Sequence, residues 1–101
     1  MGINVQLRTE GGELLAEVLD SKMTLSRAAI NSLSGTRLLK YLMPYGDAVF
    51  NQLQAGGLAM DIRDIKEATA GTPLADLLAK VEPLIERLAR EVHLYLWFVG
   101  D

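Results

Sequence analysis

Residues 94–99 read Leu-Tyr-Leu-Trp-Phe-Val, the longest unbroken apolar stretch of the chain. The residues before His93 follow a helical spacing, and from His93 onward the pattern changes to a period of two. Six apolar residues are far fewer than the roughly 20 that a transmembrane helix needs. A strand that is apolar on both sides is usually buried on both sides. We therefore predict that residues 94–99 form an interior strand of a β-sheet.

The strongest helical pattern of the chain lies directly before this strand. Thr72 is a good N-cap, and Pro73 fits the first helical position, where its missing N–H costs nothing. Apolar residues then continue in one stripe as far as Val92. Pro83 lies inside the stripe, where it should kink or divide the helix near Ala79, and we expect a kink.

Two shorter amphipathic segments also predict helices. One covers residues 58–69, where apolar residues recur at helical spacing with charges between them. The other covers residues 24–33, and Thr24 or Ser21 is available to cap its exposed amides.

Two pairs of strands are predicted in the first half of the chain. Residues 2–19 alternate between apolar and polar side chains on both sides of a glycine turn, which predicts a β-hairpin. Residues 38–43 and 48–53 flank Pro44–Asp47, whose sequence is typical of a turn, and we interpret them as a second hairpin. A helix capped by Asp47 is the competing interpretation of residues 48–53.

The predicted order is β-β-α-β-β-α-α-β, which is typical of an α+β fold. We expect a small antiparallel or mixed sheet, made of two hairpins and the C-terminal strand, with the helices packed on one face. The chain shows no internal repeat or linker, and 101 residues suit one domain, residues 1–101.

Composition excludes several classes of function. Half of the residues are hydrophobic and the net charge is −3, so the chain lacks the basic excess of most nucleic-acid binders. The absence of cysteine rules out disulfides and thiolate chemistry, and a single histidine offers little for a metal site, so we expect no cofactor. The first ten residues do not resemble a signal peptide. We expect a cytoplasmic protein that binds neither membrane nor nucleic acid.

The turn at Pro44–Asp47 carries one group of candidate binding residues. Turns on rigid scaffolds are common binding sites, and the polar residues around this one are Tyr45, Asp47, Asn51, Gln52 and Gln54. The competing interpretation is that these side chains serve the turn and cap their own backbone.

The predicted C-terminal strand carries a second group, in which His93, Tyr95 and Trp97 would share one face of the sheet. Tyrosine and tryptophan are enriched in binding hot spots, so this face could bind a partner. The alternative is that the row packs inside the domain. On the helix at residues 58–69, we interpret Asp61, Asp64 and Glu67 as a solvated face.

Residues 44–54 (PYGDAVFNQLQ) and 93–101 (HLYLWFVGD) resemble the signature blocks of a family of small bacterial proteins. That family has a PYGD-x-VFN-x-LQ block and a C-terminal LYLWF-x-GD block, which here cover about a fifth of the 101 residues. The family has no established activity, so the resemblance assigns no functional residue. It implies that the two blocks lie together as neighbouring strands. Met43 stands where the family often has an aspartate.

These observations favour a non-enzymatic protein-interaction or regulatory module. Its partner would be another protein or a second copy of the chain, in a homodimer. The alternative is a small-molecule binder or minor hydrolase, with a polar pocket formed by His93 and the residues around the 44–47 turn. No serine, threonine or cysteine lies in a recognisable nucleophile motif, which favours the first hypothesis.

Overall fold

The computed structural model describes residues 2–100, which form four β-strands and three α-helices. The strands are β1 (Asn4–Thr9), β2 (Leu14–Val18), β3 (Asp47–Phe50) and β4 (Leu94–Val99). The helices are α1 (Thr24–Asn31), α2 (Ala55–Ala68) and α3 (Pro73–Arg90). Short 3₁₀ turns lie at Leu39–Tyr41 and Gln52–Gln54. The predicted α+β fold is confirmed.

Strand β4 lies inside the sheet, as its apolar sequence predicts. The strand order is β2-β1-β4-β3, and every neighbouring pair is antiparallel. The even-numbered residues of β4 are buried, whereas the odd-numbered ones are only half-buried. This alternation arises because α3 packs on one face of the sheet, with α1 and α2 packed on α3. The helices therefore lie on one face, as expected.

The hydrophobic core is one cluster shared by the inner face of the sheet, the three helices and the 3₁₀ turn at Leu39–Tyr41. The buried residues of α3 in this cluster include Leu78, Val81, Ile85 and Leu88. Thr72 caps α3 as predicted, because its hydroxyl accepts a hydrogen bond from the Ala75 N–H (3.4 Å). Pro83 does not divide the helix, which continues to Arg90. None of the helices within residues 2–100 has the length and apolar character needed to cross a bilayer.

The predicted strand at residues 38–43 is wrong. This segment forms a 3₁₀ turn at Leu39–Tyr41, and Leu39 and Leu42 point into the core at the three-residue spacing of such a turn. The Asp61 carboxylate accepts hydrogen bonds from the N–H groups of residues 37–39. These bonds fix the turn. The hairpin at residues 2–19 is confirmed, whereas the second hairpin is absent.

Strand β3 therefore pairs with β4, with Val49 opposite Trp97. It ends at Phe50, earlier than predicted, because Asn51 and Gln54 cap the 3₁₀ turn that leads into α2. The PYGD and LYLWF segments are thus neighbours in the sheet, although Asp101 lies outside the described residues.

Helix α1 is capped by a residue other than the two expected ones. Neither Ser21 nor Thr24 caps it. Instead, Oδ2 of the Asp20 carboxylate accepts from the N–H groups of Leu25 and Ser26, at 3.0 and 3.1 Å. The same Oδ2 atom accepts from the Ile3 N–H at 3.0 Å. Asp20 therefore joins the start of α1 to the chain that enters β1.

Candidate functional site

The sheet face opposite the helices is the candidate site, and we call it the open face. Trp97 lies near its centre, opposite Gln6 of β1 and Val49 of β3. The other side chains on this face follow from the strand registers, and they are Asn4, Arg8, Leu14, Glu17, Asp47, Tyr95 and Val99. The centre of the open face therefore combines the apolar and aromatic Trp97, Tyr95 and Val49 with the polar Gln6 and Arg8 of β1. Glu17 and Asp47 lie on the two edge strands.

A chain of hydrogen bonds holds Arg8 against Trp97. The Gln6 amide donates from Nε2 to Glu17 Oε2 (2.7 Å), and Arg8 donates from Nε to Gln6 Oε1 (2.8 Å). The guanidinium carbon of Arg8 then lies 4.5 Å from the centroid of a Trp97 ring, a cation–π contact. The side chains of Arg8 and Trp97 are thus held against each other in the protein alone.

The predicted row of His93, Tyr95 and Trp97 is only partly present. Tyr95 and Trp97 share the open face, but His93 precedes the strand and has a φ of 62°, in the left-handed region. Its side chain is exposed, and Nδ1 lies 2.8 Å from the Glu10 carboxylate. Tyr95 and Trp97 are half-buried, and they lie on the sheet face opposite the one on which α3 packs.

The polar residues around the 44–47 turn do not form a pocket with His93. The turn lies beside the C-terminal end of β4, where the Gly100 N–H donates to the Gly46 carbonyl (2.8 Å), whereas His93 lies at the other end of that strand. Six residues of strand span about 20 Å, which keeps the two groups apart.

The side chains around this turn are mostly exposed or occupied locally. Tyr45 is 81% exposed, and Asp47 is also exposed. Asn51 Oδ1 accepts from the Leu53 N–H (3.0 Å), while Gln54 Oε1 accepts from the Asn51 N–H (2.9 Å). Gln52 Nε2 donates to the Ala89 carbonyl (3.0 Å). Asn51, Gln52 and Gln54 therefore bond to the backbone, as the competing interpretation states.

The structure also contains a buried carboxylate that the sequence interpretation missed. The charge pattern of the helix predicts a solvated face for Asp61, but its side chain is only 1% exposed. Oδ2 accepts from the N–H groups of Leu38 and Leu39, at 2.8 and 3.2 Å, and Oδ1 accepts from the Arg37 N–H (3.0 Å) and guanidinium (3.1 Å). The signal was present in the sequence. Asp61 falls between Leu58 and Ile65 at the spacing of the apolar stripe.

Two opposing effects act on the pKa of Asp61. Burial of the carboxylate acts to raise its pKa, but hydrogen bonds from the backbone of residues 37–39 and from the Arg37 side chain stabilise the charged form. The hydrogen bonds dominate, and the pKa of Asp61 lies below its usual value. Hydrogen bonds to Asp64 and Asp61 in turn raise the pKa of Arg37.

Four of the surface cavities are lined by residues other than those predicted to bind. These four have volumes of about 180 to 390 Å³, and the largest of them is bordered by Leu19, Asp20 and Val99. None of the four is lined by the side chains predicted to bind, from either the 44–47 turn or the His93–Trp97 row. Among residues 2–100, no group of three or more histidine, aspartate or glutamate side chains is arranged to hold a metal ion.

Comparison with known proteins gives no relative from which a function could be transferred. No family model matches the chain, and neither the curated proteins nor the solved structures include a significant match. Functional inference therefore depends on the geometry of the open face.

Proposed function

We propose that this protein is a non-enzymatic interaction module of the bacterial cytoplasm, and that a partner protein docks on the open face. The observation that carries the proposal is the position of Trp97, which lies near the centre of a sheet face that no helix of residues 2–100 covers. The absence of cysteine fits a reducing compartment.

The residue types on the open face match those of binding hot spots. Tryptophan, tyrosine and arginine contribute most often to hot spots, and Trp97, Tyr95 and Arg8 are adjacent here. Four strands spaced about 4.8 Å apart and about 20 Å long give a face of roughly 400 Å².

The hydrogen-bonded chain from Glu17 to Arg8 lowers the cost of binding. A free arginine side chain loses roughly 1 kcal/mol of conformational entropy when a partner immobilises it, and Arg8 is already held by Gln6 and Trp97. The face is therefore preorganised. Its two edge strands carry the carboxylates of Glu17 and Asp47, which favours a partner with basic residues at its rim.

The alternative of a polar pocket has no comparable support. The residues that would form it lie at opposite ends of β4, and Asn51 and Gln54 are occupied by backbone capping. No observation on the described residues favours a small-molecule site over a protein interface.

Substitution of Trp97 tests the proposal. A photo-reactive amino acid at Tyr95 is expected to cross-link a partner in cells that express the protein naturally. The purified partner should then bind Trp97→Gln at least about 30-fold more weakly than the unsubstituted protein, because removal of a hot-spot residue costs 2 kcal/mol or more. Isothermal titration calorimetry measures both affinities.

The matched control is Ile30→Ser, which removes an exposed hydrophobic side chain from α1, away from the open face. It should leave the affinity unchanged within twofold. The proposal is wrong if a photo-reactive group at position 95 captures nothing that one at position 30 does not, or if Trp97→Gln binds the partner normally.

A further inference from the structure

The outer edge of β3 has unpaired backbone groups. In an antiparallel pair, residues alternate between those that exchange hydrogen bonds with the neighbour and those that do not. The Gly100 N–H donates to the Gly46 carbonyl, so Ala48 and Phe50 are the residues of β3 that bond to β4. The N–H and C=O groups of Asp47 and Val49 therefore point outward, and no described residue pairs with them.

The other edge of the sheet carries a bulge, whereas this one does not. A register irregularity interrupts the pairing of β2 with β1 between Leu7 and Arg8, while each edge strand carries one acidic residue on the open face, Glu17 on β2 and Asp47 on β3. Charges and bulges are the usual devices that keep edge strands from pairing with other chains. Strand β3 has no proline, lysine or bulge, and Asp47 is its only charged residue.

Exposed hydrophobic side chains surround the β3 edge. Val49 is 42% exposed, and Leu53, three residues after the strand, is 92% exposed. Tyr45, two residues before the strand, is exposed to a similar degree. An unprotected edge bordered by exposed apolar side chains is typical of a surface that pairs with another strand.

We propose that two copies of this chain pair through β3, around a two-fold axis at Ala48. In this register, Asp47 of each copy lies opposite Val49 of the other. All four outward N–H and C=O groups of each copy are then used, which gives four hydrogen bonds between the copies.

The two neighbouring registers are less favourable. In one of them Asp47 would face its own copy, and directly opposed like charges are destabilising. The other needs the backbone of Asn51, whose N–H is already bonded to the Gln54 side chain and whose carbonyl accepts from the Gln54 N–H. The register centred on Ala48 also places Tyr45 opposite Asn51 of the second copy, near its exposed Leu53.

A second copy suits this edge better than a flexible peptide does. The outward groups of β3 allow four hydrogen bonds with any strand, so a longer peptide gains no further backbone bonds. A peptide would lose conformational entropy on becoming extended, whereas the β3 strand of a second copy is already ordered. The resulting eight-stranded sheet would join the two open faces. This proposal goes beyond the proposed function, because it uses the outward backbone groups of β3 rather than the side chains of the open face.

Sedimentation of a Val49→Pro variant tests the pairing. At about 200 µM the unsubstituted protein should have close to twice the chain mass of 11.1 kDa, since such a small interface gives micromolar affinity. Proline lacks the outward N–H but leaves the bonds between β3 and β4 intact. Loss of two hydrogen bonds should weaken the dimer at least about 30-fold. Val49→Thr, which keeps the N–H and the shape of the side chain, should still dimerise.

Hydrogen exchange in the unsubstituted protein provides a test that does not depend on the variant folding. The amides of Asp47 and Val49 should exchange at least about tenfold more slowly at high protein concentration than at low concentration. The proposal is wrong if the protein is a monomer at 200 µM, or if the exchange rate does not depend on concentration. It is also wrong if the dimer survives Val49→Pro but dissociates in Trp97→Gln.

Discussion

Replacement of Asp61 by alanine is expected to lower the free energy of unfolding by about 3–4 kcal/mol, because buried N–H groups would lose a charged acceptor. The Asp61 carboxylate accepts from the backbone of Arg37, Leu38 and Leu39, and Leu39 is fully buried. The loss is a large fraction of the 5–15 kcal/mol typical of a domain. Denaturation in urea, followed by circular dichroism, measures it.

Asp64→Ala is the matched control for this substitution. Asp64 lies on the same helix and also contacts Arg37 (3.2 Å), but its side chain is 53% exposed. An exposed ion pair of this kind contributes about 0–1 kcal/mol. Equal losses in Asp61→Ala and Asp64→Ala would show that the Asp61 hydrogen bonds do not fix the turn at residues 37–39.

The same carboxylate makes stability depend on pH. The pKa of Asp61 is lower in the folded protein than in the unfolded chain, where aspartate titrates near 3.9. The unfolded chain therefore binds more protons between these two pKa values, and stability falls as the pH falls through that range. Above about pH 5 the contribution is complete. The difference in unfolding free energy between the unsubstituted protein and Asp61→Ala should therefore decrease below about pH 4.

Asp20→Ala is the second substitution with a large expected effect, about 3 kcal/mol. The side chain is 4% exposed, and one of its oxygen atoms accepts from Ile3, Leu25 and Ser26. The substitution removes the cap of α1 and the only side-chain bond to the Ile3 N–H within the described residues. Thermal unfolding should show a decrease in Tm of about 15 °C, given 4–8 °C per kcal/mol for a domain near this size.

Ser21→Ala serves as the control for Asp20→Ala. Ser21 is adjacent and exposed, and its residue type is a common N-cap. The variant should unfold within about 0.5 kcal/mol of the unsubstituted protein, as exposed substitutions usually do. A larger effect for Ser21→Ala than for Asp20→Ala would contradict the assignment of Asp20 as the cap.

The elements that the sequence predicted well are those with a long or unbroken pattern. The apolar stripe of α3 and the alternation in β4 each needed only local information. The segment at residues 38–43 was misinterpreted because its conformation depends on Asp61, more than 20 residues away in the sequence. An apolar run of this length does not distinguish a strand from a turn with buried leucines.

The same distinction applies to the candidate site. Tyr95 and Trp97 could be placed on one face from their alternation alone. Arg8 could not be assigned to that face, because its contact with Trp97 requires the register between β1 and β4. His93 does not lie on the same face as Tyr95 and Trp97, because its φ of 62° turns the chain before the strand begins.

The pairing of β1 with β4 also has a consequence for the folding of the chain. These two strands form the centre of the sheet, yet they are the most distant strands in the sequence. A contact between distant segments forms only when a long loop closes, and the entropy cost of that closure offsets part of the stability gained from the contact. During synthesis, β1 leaves the ribosome before β4. The helices can form in the meantime, but the hydrophobic faces of β1 and α3 stay without the strand β4 until it emerges.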